Sequence, residues 1–129
     1  MTALRCDGPA PTATVVLTLD HRPPADVAAL PAYVTGRPPQ GVPLGTLLTT
    51  VSVWSAEGGG PLVVRQDGSP ATGRVTTVGG RTVLQLATVL APGAGTRVEV
   101  DVPVADGGVT VWTTPTLTSP GVAGARCDG

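Results

Sequence analysis

Two cysteines, Cys6 and Cys127, are the side chains of this chain best suited to forming a covalent cross-link. Each lies in the same tetrapeptide, Arg-Cys-Asp-Gly, close to one end of the chain. One interpretation is a disulfide that joins the two ends, which would stabilise the fold by about 4–5 kcal/mol in a loop-entropy treatment. The alternatives are a bond from Cys6 of one subunit to Cys127 of the next, and two free thiols. Two thiols are too few for a structural zinc site, which needs four ligands.

The single histidine, His21, follows Asp20 where a strand is expected to end. A serine hydrolase would require a serine in a Gly-x-Ser-x-Gly turn, and no serine of this chain lies in one. A catalytic triad also depends on a spatial arrangement that sequence spacing does not provide. We therefore interpret His21 as a surface residue.

Glu99 and Asp101 are the only pair of carboxylates with a spacing that could support acid–base chemistry. They are two residues apart, so they share one face of a strand, as a glycosidase-like pair could. Charges of this kind more often form the solvated face of an edge strand, where they prevent unwanted strand pairing. The glycine clusters at 58–60 and 79–80 lack the Gly-Lys-Ser/Thr of a phosphate loop. We therefore expect a protein that is not an enzyme and that uses no cofactor or metal.

The charge balance argues against binding to nucleic acid. The net charge is −1, and the eight basic residues are all arginines scattered singly along the chain. Nucleic-acid-binding proteins usually cluster basic residues and add aromatic side chains that stack on bases. This chain has one tyrosine, two tryptophans and no phenylalanine. The expected partners are other protein subunits, either capsid or tail proteins or copies of the same chain.

Glycine and proline are abundant, with 18 and 14 residues among 129. They make long helices improbable, and the core must come from valine, leucine and alanine. No apolar run approaches the ~20 residues of a membrane-spanning helix. Met1 is followed by Thr-Ala-Leu-Arg-Cys, which does not resemble a signal peptide.

The clearest strand pattern lies in residues 96–118, where valines alternate with polar residues. Asp106-Gly107 has the chemistry of a hairpin turn, and it predicts that Val102 pairs with Val111. Pro103 cannot donate a ladder hydrogen bond, which favours an edge position or a bulge. In this register Trp112 lies on the polar face with Glu99 and Asp101, where it would be exposed.

Further strands are predicted at Ala13–Asp20, Thr46–Ser55, Leu62–Gln66, Arg74–Val78 and Arg81–Leu90. In Thr46–Ser55, Val51 and Val53 share one face, and Leu48 and Trp54 share the other. The last two of these strands should form a hairpin over Gly79-Gly80. Because both faces of Arg81–Leu90 are partly apolar, this strand is expected to be central and covered on both sides. About seven to eight short strands predict an all-β fold, a small antiparallel β-sandwich or β-barrel.

The predicted domain organisation has three parts. Residues 1–12 form an N-terminal arm, residues 13–118 a single β domain, and residues 119–129 a loop-like C-terminal tail, so both termini are extended. A Pro-rich excursion at 21–45 interrupts the domain, with one or two helical turns possible at Ala25–Leu30. Long loops are often functional, so we predict that Tyr33 in this excursion, together with Trp112 and Pro103, forms an interface.

These features favour a non-enzymatic structural protein of a bacteriophage particle, located in the virion. It would be a capsid decoration or cement protein, or a tail component, and a homo-oligomer or part of a larger assembly. The alternative is a secreted or cell-surface binding module of a high-GC bacterium, similar in architecture to immunoglobulin-like or adhesin domains. Cys6 and Cys127 would close such a module with an intrachain disulfide.

Overall fold

The computed structural model describes residues 12–58, 60 and 62–103, together with the backbone of 109–112 and 122–125. This part of the chain is mostly β-structure, as predicted. It contains one short 3-10 helix and one short α-helix, and nine strands, of which one has two residues. The strands are β1 (Thr12–Asp20), β2 (Leu47–Glu57), β3 (Val63–Gln66), β4 (Ser69–Pro70), β5 (Arg74–Val78), β6 (Arg81–Leu90), β7 (Gly95–Pro103), β8 (Val109–Trp112) and β9 (Val122–Ala125). The 3-10 helix is Val27–Ala29, and α1 is Ala32–Thr35.

Two antiparallel sheets account for most of the strands. The four-stranded sheet has the order β1-β7-β3-β4, and the three-stranded sheet has the order β2-β6-β5. β8 and β9 form a separate antiparallel pair. The strand β9 lies in the region predicted to be a loop-like tail, whereas the cysteines and the predicted arm up to residue 11 are outside the described residues.

The predicted hairpin between residues 98–104 and 109–111 is wrong. β7 pairs with β1 on one side and with β3 on the other, so that Val100 lies between Val15 and Val64. Val111 pairs instead with Ala123. The ladder between β1 and β7 extends over nine residue pairs, more than the predicted hairpin offers, and it places apolar residues of the same face beside one another. The turn residues Asp106 and Gly107 lie outside the described part.

Pro103 is the last residue of this inner strand, not a residue of an edge strand. Its partner on β1 is Thr12, while the ladder with β3 ends at Val63, opposite Asp101. Beyond Asp101, β7 therefore has a described neighbour on one side only. A residue without an N–H is tolerated where the ladder ends, and this local ending accounts for the proline on an inner strand.

The core contains side chains from both sheets. Val98 and Val100 of β7 are 0% exposed, the lowest values among the core residues. They pack in one cluster with residues of β1 and β3 from their own sheet and of β2 and β6 from the other. The buried and partly buried members are Val15, Leu17, Val51, Val53, Leu62, Val64, Ala71, Leu84, Leu86, Val98, Val100 and Val102.

The hairpin of β5 and β6 is confirmed, with Val78 opposite Arg81 across Gly79-Gly80. Both glycines have positive φ, +54° and +75°, as the two central residues of a type I′ turn require. The central position of β6 is also confirmed. The prediction that β6 is covered on both sides is wrong, because Val89, on the face away from the core, is 63% exposed.

A β-bulge near the end of β2 is held by one buried hydroxyl. The register with β6 shifts between Trp54 and Glu57, and Ser55 lies within this shift with 1% of its surface exposed. Its Oγ donates to the Ala56 carbonyl oxygen at 2.8 Å and accepts from the Thr82 N–H at 2.9 Å. The serine therefore replaces ladder hydrogen bonds that the bulge interrupts.

We expect Ser55→Ala to lower the free energy of unfolding by about 1–2 kcal/mol, because the Thr82 N–H loses a buried acceptor. Urea unfolding followed by tryptophan fluorescence measures this change. Ser52→Ala is the matched control, since Ser52 is an exposed serine of the same strand. It should change the value by less than about 0.5 kcal/mol. Equal effects of the two substitutions would show that Ser55 does not stabilise the bulge.

Candidate protein-binding surface

The three-stranded sheet turns one face towards the core and the other towards solvent. Val51 and Val53 of β2, with Leu84 and Leu86 of β6, belong to the core face. The intervening residues project on the opposite side, here called the outer face, because side chains alternate along a strand. The cross-strand pairs of β2 and β6 on this face are Leu48–Val89, Thr50–Ala87, Ser52–Gln85 and Trp54–Val83. β5 contributes Arg74, Thr76 and Val78.

Large apolar side chains are exposed on the outer face. Trp54 is 52% exposed, Leu48 is 49% exposed and Val89 is 63% exposed. Val83 is the exception at 2%, since it lies on the inner strand between Trp54 and Thr76 of the neighbouring strands. Leu48 and Val89 are directly opposite each other, so they form one continuous apolar area.

Most positions of the outer face carry no charge. Its charged residues are Arg74, on β5 at the side of the sheet, and the cross-strand pair Glu57–Arg81 beside the Gly79-Gly80 turn. Tryptophan is enriched at the energetic centres of protein interfaces, and charged residues are depleted there. The exposed apolar part of the face therefore has the chemistry of a protein-binding surface.

The four-stranded sheet presents a contrasting, charged surface. Arg65 of β3 contacts two carboxylates of β7: its Nε lies 3.3 Å from Glu99 Oε2, and its Nη2 lies 2.9 Å from Asp101 Oδ2. Arg97 Nη2 lies 2.7 Å from Glu99 Oε1, and the Thr14 hydroxyl donates to Asp101 Oδ1 at 2.7 Å. The hydrogen bond to Asp101, followed by the one to Glu99, raises the pKa of the Arg65 guanidinium above its usual value.

This geometry corrects the predicted role of Glu99 and Asp101. They lie on an inner strand, not on an edge strand, and their side chains are only 21% and 24% exposed. Each carboxylate is paired with a guanidinium from a neighbouring position. The pair therefore links β7 to β3 and β1 across the sheet surface, which is a structural arrangement.

His21 is half-buried, so it is less exposed than the sequence interpretation as a surface residue implied. Its Nε2 donates to the Gly45 carbonyl oxygen at 2.6 Å. Its backbone N–H donates to Ala94 O, and its own carbonyl accepts from the Gly93 N–H. These bonds join the start of the Pro-rich excursion to its end at Gly45 and to the turn before β7. His21 therefore anchors the excursion.

The residues predicted to form an interface lie on different elements. Tyr33 is in α1 and is 89% exposed, whereas Pro103 is half-buried at the end of β7. Trp112 lies in β8, where only the backbone is described. The sequence pattern had placed Leu48 and Trp54 on a common face, and that placement is correct. Their exposure, and that of Val89, was not predicted.

Other features of the described part provide no obvious reaction chemistry. No group of three or more His, Cys, Asp or Glu residues that could hold a metal ion occurs among the described residues. A shallow cleft of about 230 Å³ lies between the excursion and the start of β2, where Arg37 is the charged lining residue. In the same part of the chain, no helix has the length and apolar character needed to cross a membrane.

Comparison of the chain with models of known protein families, with curated proteins and with solved structures found no match.

Proposed function

We propose that this chain is a non-enzymatic structural protein of a bacteriophage particle, where it binds the capsid as a decoration or cement protein, or the tail. The observation that carries the proposal is the exposed apolar area of the outer face, where Leu48 at 49% and Val89 at 63% exposure lie directly opposite each other, with Trp54 at 52% exposure further along β2. Contiguous apolar patches mark interaction sites more often than isolated exposed side chains do.

The proposal includes a β-sandwich in which the two sheets lie face to face. In support, one core cluster combines β7 and β1 of the four-stranded sheet with β2 and β6 of the three-stranded sheet. Such a layer arrangement buries one face of each sheet and leaves the other free. The outer face is then a rigid platform whose side chains are positioned by paired strands, and it loses little conformational entropy on binding.

A second contact could come from the Pro-rich excursion. His21 fixes its two ends through the 2.6 Å bond to Gly45, and Tyr33 extends from it with 89% of its surface exposed. A face and a separate loop that bind one assembly reinforce each other through effective concentration. A protein of this kind works by attachment, and the exposed residues named here supply contacts, not catalysis.

We expect Val89→Glu to weaken binding of this protein to its particle by about tenfold or more, because a charge is desolvated at an apolar interface. Binding is measured by co-sedimentation with capsids or tails assembled from the genes that adjoin its own gene. Thr18→Glu is the matched control: it adds the same charge at an exposed position of β1, in the other sheet. The control should bind as the wild type does.

Two results would contradict the proposal. One is a wild-type protein that sediments with none of these particles, and the other is a Val89→Glu variant that binds them as tightly as the wild type. A gene neighbourhood that encodes a signal sequence and a surface anchor, in place of capsid, portal or tail proteins, would favour the secreted module instead.

A further inference from the structure

Among the described strands, β2 is a long edge strand whose sequence up to Ala56 lacks the charges and prolines that usually protect an edge against pairing. It has eleven residues, and among the described strands its one neighbour is β6. The stretch Leu47–Ala56 contains no charged residue and no proline. Natural edge strands are usually short, charged, bulged or interrupted by proline, because free N–H and C=O groups accept another strand. The bulge of β2 lies only at its end, after Trp54.

The other edge strands of the four-stranded and three-stranded sheets differ from β2 in ways that matter for pairing. β4 has two residues, and β5 has five and begins with Arg74. β1 has nine residues, but the exposed ones among its described side chains are Thr18 and Asp20, which offer no apolar area to a neighbouring strand. β2 presents Leu48 and Trp54 instead, each about half exposed. An added strand would gain both hydrogen bonds and apolar contacts at β2.

We propose that two copies of this chain pair through their β2 strands, antiparallel and about a two-fold axis, with Val51 opposite Val51 of the second copy. The two three-stranded sheets then become one continuous six-stranded sheet. The interface is isologous, so every contact away from the axis occurs twice. Its hydrogen bonds are those of an ordinary antiparallel ladder.

The register follows from the positions of the exposed apolar residues. Paired residues must lie on the same face of the joined sheet, so the two-fold axis has to pass a residue and not a peptide bond. With the axis at Val51, Leu48 of one copy lies opposite Trp54 of the other, and Thr50 lies opposite Ser52. Moving the axis to Thr50 places Leu48 opposite Ser52, and moving it to Ser52 places Trp54 opposite Thr50. Of these registers, the one at Val51 pairs the two exposed apolar side chains with each other.

Charge does not oppose this register. The nearest acidic residue of the strand is Glu57, which would lie opposite Gly45 of the second copy, beyond the apolar pairs. Like charges are therefore not brought together along Leu47–Ala56. The pairing needs no capsid or tail partner, so it goes beyond the proposed function and is tested on the isolated protein. In a particle it would double the area of the outer face available for attachment.

The test compares two double variants by sedimentation velocity of the full chain, under reducing conditions so that the native cysteines form no cross-links. Leu48→Lys with Trp54→Lys places lysine opposite lysine at both pairs, and we expect the dimer to be lost, with Kd raised at least about tenfold. Leu48→Lys with Trp54→Glu replaces the same two residues but places lysine opposite glutamate, and the dimer should return. Circular dichroism and thermal unfolding establish that both variants are folded.

Val89→Lys separates edge pairing from stacking of outer faces. Val89 is on the same face but on the inner strand β6, so the proposed dimer tolerates a lysine there. Three results would overturn the proposal: a monomeric wild type at the highest soluble concentration, equal behaviour of the two double variants, or loss of the dimer in Val89→Lys.

A cross-linking measurement keeps the proposal testable if the double variants fail to fold. In a chain with Cys6→Ser and Cys127→Ser, Val51→Cys should form an intermolecular disulfide on mild oxidation, because residues directly opposite in an antiparallel pair have Cα atoms about 4.5–5.5 Å apart. Val53→Cys is the control. Residue 53 lies opposite Thr49 of the second copy, so the Cα atoms of two introduced cysteines would be about 14 Å apart. Cross-linking of both variants at equal rates, or of neither, would contradict the register.

Discussion

Replacing Val100 with alanine is expected to lower the free energy of unfolding by about 2–3 kcal/mol, from the lost transfer energy of two methylene-sized groups plus the cavity left behind. Val100 is 0% exposed and lies between Val15 and Val64 on the inner strand of the four-stranded sheet. Because β1 and β3 flank Val100 on both sides, the surrounding side chains can move little to fill the cavity. Guanidinium unfolding followed by tryptophan fluorescence gives the value.

Val89→Ala is the control for this prediction, since it makes the same chemical change on an inner strand of the other sheet. Val89 is 63% exposed, and its truncation should cost less than about 0.5 kcal/mol. The difference between the two variants measures burial rather than the strand preference of valine. A small effect at Val100 would show that β7 is not at the centre of the fold.

Local patterns in the sequence predicted the strands well, because they depend on neighbouring residues. The alternation in Ala13–Asp20 became β1, with one additional residue at its start. Gly79-Gly80 predicted the turn between β5 and β6, since two successive residues with positive φ favour glycine. In the excursion, the predicted helical turns at Ala25–Leu30 correspond to the 3-10 helix Val27–Ala29. Short segments bounded by glycine or proline can adopt few other secondary structures.

The partner of β7 could not be predicted, because alternation specifies a face and not a neighbour. Val98 and Val100 can pack beside any strand that presents apolar side chains on the same face. β1, β3 and the segment at 109–111 all have this pattern. The choice depends on the length of the ladder and on the non-local packing of both sheets. The interpretation of Glu99 and Asp101 as an edge failed for the same reason: their partner Arg65 is more than 30 residues away in sequence.

The candidate surface was only half predicted. Period-2 alternation correctly placed Leu48 and Trp54 together on the side of β2 away from Val51 and Val53. The apolar character of both faces of β6 was taken to mean that both were covered. The structure leaves one of them open, with Val89 among the most exposed apolar residues. A sequence pattern predicts the polarity of a strand face, but whether that face is buried depends on which elements pack against it. An apolar face that no element covers is a reason to expect a binding partner.

Gly73→Ala is expected to destabilise the protein by about 1–3 kcal/mol, by forcing β5 away from β6. A Cβ built at Gly73 would lie 2.7 Å from the Gln85 carbonyl oxygen and 3.2 Å from Leu84 Cδ2. The first of these atoms is backbone of the inner strand, so it cannot rotate aside as a side chain can. Gly73 immediately precedes Arg74, the first residue of β5, which pairs with Gln85. The strain therefore acts on the start of the β5–β6 ladder.

Amide hydrogen exchange locates this effect, and thermal unfolding gives its size. We expect faster exchange in β5 (Arg74–Val78) with little change in the ladder of β1 and β7, since those strands belong to the other sheet. Gly60→Ala is the matched control: a Cβ there would meet its nearest atom, Pro103 Cγ, at an ordinary 3.8 Å. The control should be neutral or slightly stabilising, because alanine reduces the entropy of the unfolded chain. If Gly73→Ala were equally harmless, the close approach of residue 73 to β6 would be wrong. The start of β5 would then lie further from β6 than the pairing of Arg74 with Gln85 indicates.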